Sequence, residues 1–273
     1  MFAIKLPGRA VLSTVVLGLP LSALLLALGD GTALAQPPQV GSASAAVATA
    51  KDPAVMALLK QMCDRLQAAK TLTLRGRAWL ELPVAGGELA TFFNDFDVAV
   101  RRPDGLASHR IGDLPEFRFA FDGKAMTVYV PSLGTWGTTS APSTLDAMLP
   151  AAGEQGGLNL PFDELLVADP YTAVTTGVTE AIQAGGPATI QGKKVEHLVL
   201  SSALLRVEYW IDPGTALPAR SLVVYVDHPL RPHFIVEYAE WKLDPKLPDA
   251  TFALPRPQGA TEVSFQDAAN AFR

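Results

Sequence analysis

The stretch TFFNDFDVAVRRPDGL, Thr91 to Leu106, decides the fold class because its apolar residues recur every second position. Phe92, Phe96, Val98, Val100 and Arg102 share one face, while Phe93, Asp95, Asp97, Ala99 and Arg101 share the other, wetter one. Period two is the mark of a half-buried strand. The alternation ends by aiming a guanidinium, Arg102, at the apolar side. An unpaired charge there costs several kcal/mol, roughly, so it needs hydrogen-bond acceptors or a water-filled cavity. The alternative is that Arg102 lies at the strand end and snorkels out past Pro103. Parity alone leaves both open.

The same period extends in both directions. In TLTLRGRAWLE, Leu72, Leu74, Gly76, Ala78 and Leu80 lie opposite Thr73, Arg75, Arg77 and Trp79. FRFAFDGKAMTVYVP, Phe117 to Pro131, reads as a hairpin with Asp122-Gly123 at the turn and Phe117, Phe119 and Phe121 on one face. KKVEHLVLSS and HFIVEYAEWKL are further strands, and RVEYWIDPGTALPARSLVVYV is two strands joined by Asp212-Pro213-Gly214.

Helical signals are fewer. Asp52 can N-cap, Pro53 suits the first turn, and Val55, Met56, Leu58, Leu59, Met62, Cys63 and Leu66 form an apolar stripe. Between Ser143 and about Thr176 lie short helical pieces that Pro150, Pro161 and Pro170 are expected to break. The order is thus one helix, about five strands, a helical insert, then about five more strands. Long strand runs with few crossover helices predict a mainly β fold with helices, of α+β type. A sheet this large must curl, so we expect an antiparallel half-closed barrel around a hydrophobic cavity, with an N-terminal helix and a helical lid insert.

The N-terminus sets the compartment. Lys5 and Arg9 precede AVLSTVVLGLPLSALLLALG, and Ala33-Leu34-Ala35 is a small-x-small cleavage site, so residues 1–35 read as a secretory signal peptide cut after Ala35. Gly18 and Pro20 interrupt the run, which argues against a transmembrane anchor. Residues 36–50, QPPQVGSASAAVATA, read as a disordered linker. The fold is then expected over 51–266, with a C-terminal tail at 267–273. The exported product keeps 20 basic and 26 acidic residues, a net charge of −6. That balance argues against nucleic acid and against a polybasic membrane anchor, with no transmembrane segment after cleavage. A single cysteine, Cys63, allows no intramolecular disulfide and reads as core.

Three motifs carry a resemblance. VAVRRPDGL at Val98–Leu106, FDGKAMTVYVP at Phe121–Pro131 and DATFALPRPQGA at Asp249–Ala260 together resemble the periplasmic outer-membrane lipoprotein-carrier family. That family shows a V-x-R-P strand end, a D-G-K hairpin leading to Y-x-P, and a closing D-x-x-x-F-x-x-x-P-x-G. More closely, Asp52 to Phe265 looks like an uncharacterised family of predicted periplasmic proteins related to those carriers. The resemblance implies a periplasmic protein whose curled sheet is roofed by helices. It also implies that Arg102, the match to the motif arginine, hydrogen-bonds lid backbone as a latch. The segment PFDELLVADPYTAVTTG is absent from the carriers proper and looks characteristic of the relatives.

The functional expectation follows. A concave apolar interior suits an acyl chain, each buried methylene contributing about 0.8 kcal/mol. Candidate lining residues are Phe92, Phe96, Val98, Val100, Phe117, Phe119, Phe121, Met126, Val128 and Leu200; the blander reading is that each packs against the helices. The partner expected is a lipid or acylated ligand, with an envelope membrane protein as a further candidate and a monomeric state. No cofactor and no metal site are expected. His228 and His233 sit in a proline-broken loop without a third ligand at regular spacing, and His197 alternates within a strand. No G-x-S-x-G, H-E-x-x-H or phosphate-cradling loop occurs, so the chain is not expected to be an enzyme. The alternative function on the same fold is an envelope sensor that binds a protein partner.

Overall fold

The computed structural model describes residues 51–270 apart from 159 and 161; the expected signal peptide, its cleavage site and the linker lie outside the described residues. Helix α1, Pro53–Ala68, opens the fold, with Asp52 capping it by accepting from the Ala54 amide at 2.8 Å. Val55, Leu59, Met62, Cys63 and Leu66 form its buried stripe. Six strands follow: β1 Thr71–Pro83, β2 Leu89–Arg101, β3 Gly105–Gly112, β4 Phe117–Phe121, β5 Ala125–Val130 and β6 Thr135–Ser140. The insert carries α2, Leu145–Gly156, a 3-10 turn at Asp163–Leu165, and α3, Pro170–Thr175. Seven strands complete the sheet: β7 Glu180–Gln183, β8 Ala188–Ile190, β9 Lys193–Ser201, β10 Leu205–Asp212, β11 Leu217–Tyr225, β12 His233–Leu243 and β13 Thr261–Glu262. Helix α4, Phe265–Ala269, ends the described chain.

The strands form one open, curled sheet in the order β13-β6-β5-β4-β3-β2-β1-β12-β11-β10-β9-β7, with β8 paired to β9. All strand pairs are antiparallel except β13 with β6. Sequence neighbours pair wherever a hairpin permits it; the long-range antiparallel step is β1 beside β12, joining two meanders at the middle of the sheet. This order dictates the roof. The chain leaves β6 near one edge and must resume at β7 on the other, so residues 141–179 have to cross a face of the sheet. That face is the apolar one, because α2 buries Leu145, Met148, Leu149 and Ala152 there.

Cross-strand register arranges the inner face in rows. One row runs Leu243, Leu72, Val100, Leu106, Phe121, Met126; the next runs Trp241, Leu74, Val98, Ser108, Phe119, Val128; a third runs Tyr238, Gly76, Phe96, Arg110, Phe117. Gly76 is dictated by this packing: a Cβ there would lie 2.2 Å from the Glu237 carbonyl oxygen and 2.9 Å from the Phe96 ring. The register against β12 shifts at that point, as a β-bulge does. The outer face carries charge ladders, Arg75 on Asp97 at 2.8 Å and Arg77 on Asp95 at 2.7 Å. Such exposed pairs contribute about 0–1 kcal/mol each and mainly keep the face wet.

Three expectations about elements need correction. There are six strands before the insert, the short β6 among them, and seven after it, where segments such as β7, β8 and β13 carry too few residues to show a period. Pro150 does not break its helix but lies inside α2. The lost amide bond is outweighed there by the burial of Met148, Leu149 and Ala152 around it. The fold also continues past 266: Ala268 and Ala269 of α4 are buried against the core, and Gly137 of β6 leaves room for that approach.

Candidate functional site

The β2–β3 turn places Arg102 under the roof. Its backbone amide donates to the Lys70 carbonyl at 2.8 Å, and the Pro103 carbonyl accepts from Leu145 at 2.8 Å, which ties the turn to the start of α2. The guanidinium faces the inner side. Its Nη1 donates to the carbonyls of Leu166 and, at 2.9 Å, Val167, while Nη2 reaches the carbonyls of Leu66 in α1 and Leu165 at 3.4 and 3.5 Å. These are the orphan acceptors at the end of the 3-10 turn and of α1, so one planar fork satisfies groups that the two elements leave unpaired. Burial lowers the Arg102 pKa, and Asp146 opposes that shift. Asp146 also accepts from the Ala168 amide at 3.0 Å.

The same lid turn has a second anchor. Glu164 keeps part of its surface in solvent while its carboxyl is enclosed. Its Oε1 accepts from the hydroxyl of the fully buried Tyr209 at 2.8 Å. Burial, with the neighbouring Asp163 charge, pushes its carboxyl up to about 8, against the Tyr209 hydrogen bond that lowers it. Nothing in the local spacing of Asp163 and Glu164 points to β10, 45 residues further along the chain.

At the other end of the inner face lies an apolar cavity of about 160 Å³ between β1–β4 and the roof. Its floor includes Phe96, Phe117 and Phe119, and its ceiling Met148, Leu149 and Phe162. The Phe96 and Phe162 rings stack at 5.3 Å, so sheet and roof touch beside the void. Among the described residues, three polar side chains line it, Asn94, Ser108 and Arg110. Asn94 Oδ1 accepts from the Leu114 amide at 3.3 Å, and Arg110 Nη2 donates to the Pro115 carbonyl at 3.1 Å. Burial lowers the Arg110 pKa to about 10.

Of the ten residues read as cavity lining, Phe96, Phe117 and Phe119 border this void. Val98, Val100, Phe121, Met126, Val128 and Leu200 are buried in the packed core, and Phe92 is half-buried toward the strand end. Arg110 was missed, although the signal was there. In GLASHRIG, Leu106, Ser108 and Arg110 alternate onto the inner face by the parity that picked out Arg102.

The histidines are engaged locally: His197 Nε2 lies 2.8 Å from Glu208 and stacks on Trp210, His233 Nδ1 lies 3.0 Å from Glu81, and His109 Nε2 lies 3.0 Å from Glu116. Among the described residues no group of three or more His, Cys, Asp or Glu is placed to hold a metal ion. Nor is any helix long and apolar enough to cross a membrane. Cys63 lies within the α1 stripe, where burial pushes its thiol up to about 12.

A curled, open antiparallel sheet roofed by its own edge-to-edge crossover, with a void beneath the roof, defines the class as a lidded half-barrel. The chain belongs to the family described as predicted periplasmic protein (DUF2092), whose model matches residues 55–266. No curated protein matches the chain. Solved structures similar to it include an uncharacterized conserved protein from Thermus thermophilus, 12% identical with a TM-score of 0.43, covering 75% of this chain and 98% of that one. LprF from Mycobacterium bovis is 12% identical with a TM-score of 0.43, covering 77% and 99%. A LolA superfamily protein from Nitrosomonas europaea is 11% identical with a TM-score of 0.31, covering 73% and 97%.

Proposed function

We propose that this chain is a non-catalytic periplasmic protein that binds the acyl part of a lipid or lipidated ligand beneath its roof, with Arg102 as the latch of the lid. The observation that carries the reading is the lidded cavity, whose described lining is apolar but for three polar side chains on adjoining strands. Ligand pockets have this character: apolar walls with a few polar groups that fix orientation.

Its size adds a condition. At about 160 Å³ the cavity matches an engineered apolar void of ~150 Å³ that takes up benzene. A long acyl chain therefore enters only if the roof moves, and the roof segment is the one Arg102 holds by its carbonyls. Lid movement and binding are then one event, which is what a carrier needs to load and unload.

A second reading, a partner-binding module, is favoured by the outer face, where Phe93 is 47% and Ile111 52% exposed. Two measurements separate the readings. Organic extracts of the protein, purified from its native compartment without detergent, should contain stoichiometric lipid or acylated ligand. The neutral dye N-phenylnaphthylamine should bind the emptied protein saturably, and Ala152→Phe, which fills the cavity ceiling, should abolish uptake. A lipid-free extract with no dye uptake would sink the binding reading and leave the partner-binding one.

A further inference from the structure

Arg110 is the one charged side chain among the described residues that line the cavity. It stands on the inner face directly between Phe96 of β2 and Phe117 of β4, with its guanidinium carbon 5.6 Å from the Phe117 ring centre. Ser108 lies two residues before it on β3, and Asn94 two residues before Phe96 on β2. All three can donate hydrogen bonds into the void they line.

The position along β3 matters as much as the charge. Leu106 is fully buried, Ser108 buried, Arg110 half-buried, and Ile111 and Gly112 exposed. Arg110 thus stands at the rim, with Leu106 about 13 Å further in at roughly 3.3 Å per residue. Leu106, Phe119 and Met148, all uncharged, surround the deep end.

We infer that the cavity takes a single-chain amphiphile with an anionic end, and that Arg110, with Asn94 and Ser108, determines this specificity by holding the carboxylate or phosphate at the rim while the chain runs inward toward Leu106. The inference rests on the acyl-binding reading above and adds the ligand class to it. A guanidinium offers a planar fork suited to either anion. In an apolar wall its field is weakly screened, so it discriminates sharply by charge. The void's size argues for one chain rather than several.

The test uses two probes of equal chain length, dodecanoate and 1-dodecanol, each competing with N-phenylnaphthylamine for the full exported chain near pH 7.5. Arg110→Gln should weaken dodecanoate by about ten- to a hundredfold, the value of a charge-assisted hydrogen bond, and leave dodecanol within about twofold. Arg110→Lys, which keeps the charge, should recover part of the loss. Equal losses for both probes, or dodecanoate binding that survives Arg110→Gln, would overturn the role given to Arg110 while leaving the acyl cavity standing. If the wild-type chain takes up neither probe nor the dye, the acyl-binding reading itself fails and this inference with it.

Discussion

Arg102 reaches across the inner face to donate from Nη1 to the Val167 carbonyl at 2.9 Å, linking a strand-end turn to a segment 65 residues further along the chain. The same guanidinium takes in Leu165, Leu166 and the α1 carbonyl of Leu66. Roof, first helix and sheet are thereby joined at one point.

Arg102→Leu should therefore loosen the roof without removing the fold. The loss of hydrogen bonds from a charged donor is worth about 1.5–3 kcal/mol. The expected result is faster, larger uptake of N-phenylnaphthylamine by a variant with an unchanged far-ultraviolet circular dichroism spectrum. Unchanged dye uptake in such a well-folded variant would refute the latch.

The Glu164–Tyr209 contact makes stability depend on pH. The enclosed carboxyl is raised from 4.5 to about 8 by burial and by Asp163, so the folded state holds a proton that the unfolded chain releases. The contribution is complete below about pH 4.5 and is lost as pH rises through about 8. The other groups that sense this carboxyl are Cys63 of α1, Tyr209 of β10, Tyr225 of β11 and Tyr238 of β12, all with pKa values raised by burial. They stay neutral over this window. Thermal unfolding should show a midpoint that falls from pH 5 to pH 9, and Glu164→Gln should flatten that slope. A wild-type midpoint independent of pH would contradict the enclosed carboxyl.

Gly76→Ala tests the bulge. The added methyl would meet the Glu237 carbonyl oxygen, which is backbone and cannot rotate away, and the Phe96 ring beside it. Overpacking of this kind costs about 1–3 kcal/mol. A lower urea midpoint with an unchanged slope is expected; wild-type stability would mean that β1 and β12 can separate locally at no cost.

Cys63 gives an internal reporter of opening. With its thiol pushed from 9.0 to about 12, the thiolate fraction is about a thousandfold below that of an exposed cysteine. Ellman's reagent should leave the native protein unlabelled and react rapidly in urea. Fast labelling under native conditions would show that α1 leaves the core readily.

The long strands, the first helix and the inner and outer faces were legible because burial imposes a period, and the period is written in the residues. Phe96, Val98 and Val100 are buried and Phe93, Asp95 and Asp97 exposed, as the alternation in Thr91–Leu106 requires. Membership of the periplasmic family was legible too, from short motifs at fixed spacing. Pro150 was misread because local propensity says nothing of the core that holds α2 in place.

What the sequence by itself determined is which residues face inward, since side-chain direction along a strand depends only on parity. Parity turns both Arg102 and Arg110 to the inner face, yet it cannot say what either meets there. That was decided by tertiary structure, through the pairing of β1 with β12 and the crossing of the roof from one sheet edge to the other. The same closure set Tyr209 against Glu164, separated by 45 residues, and left the void beside Arg110. Contacts between distant segments follow from how the sheet curls and where the crossover lands, and no local pattern of residues encodes either.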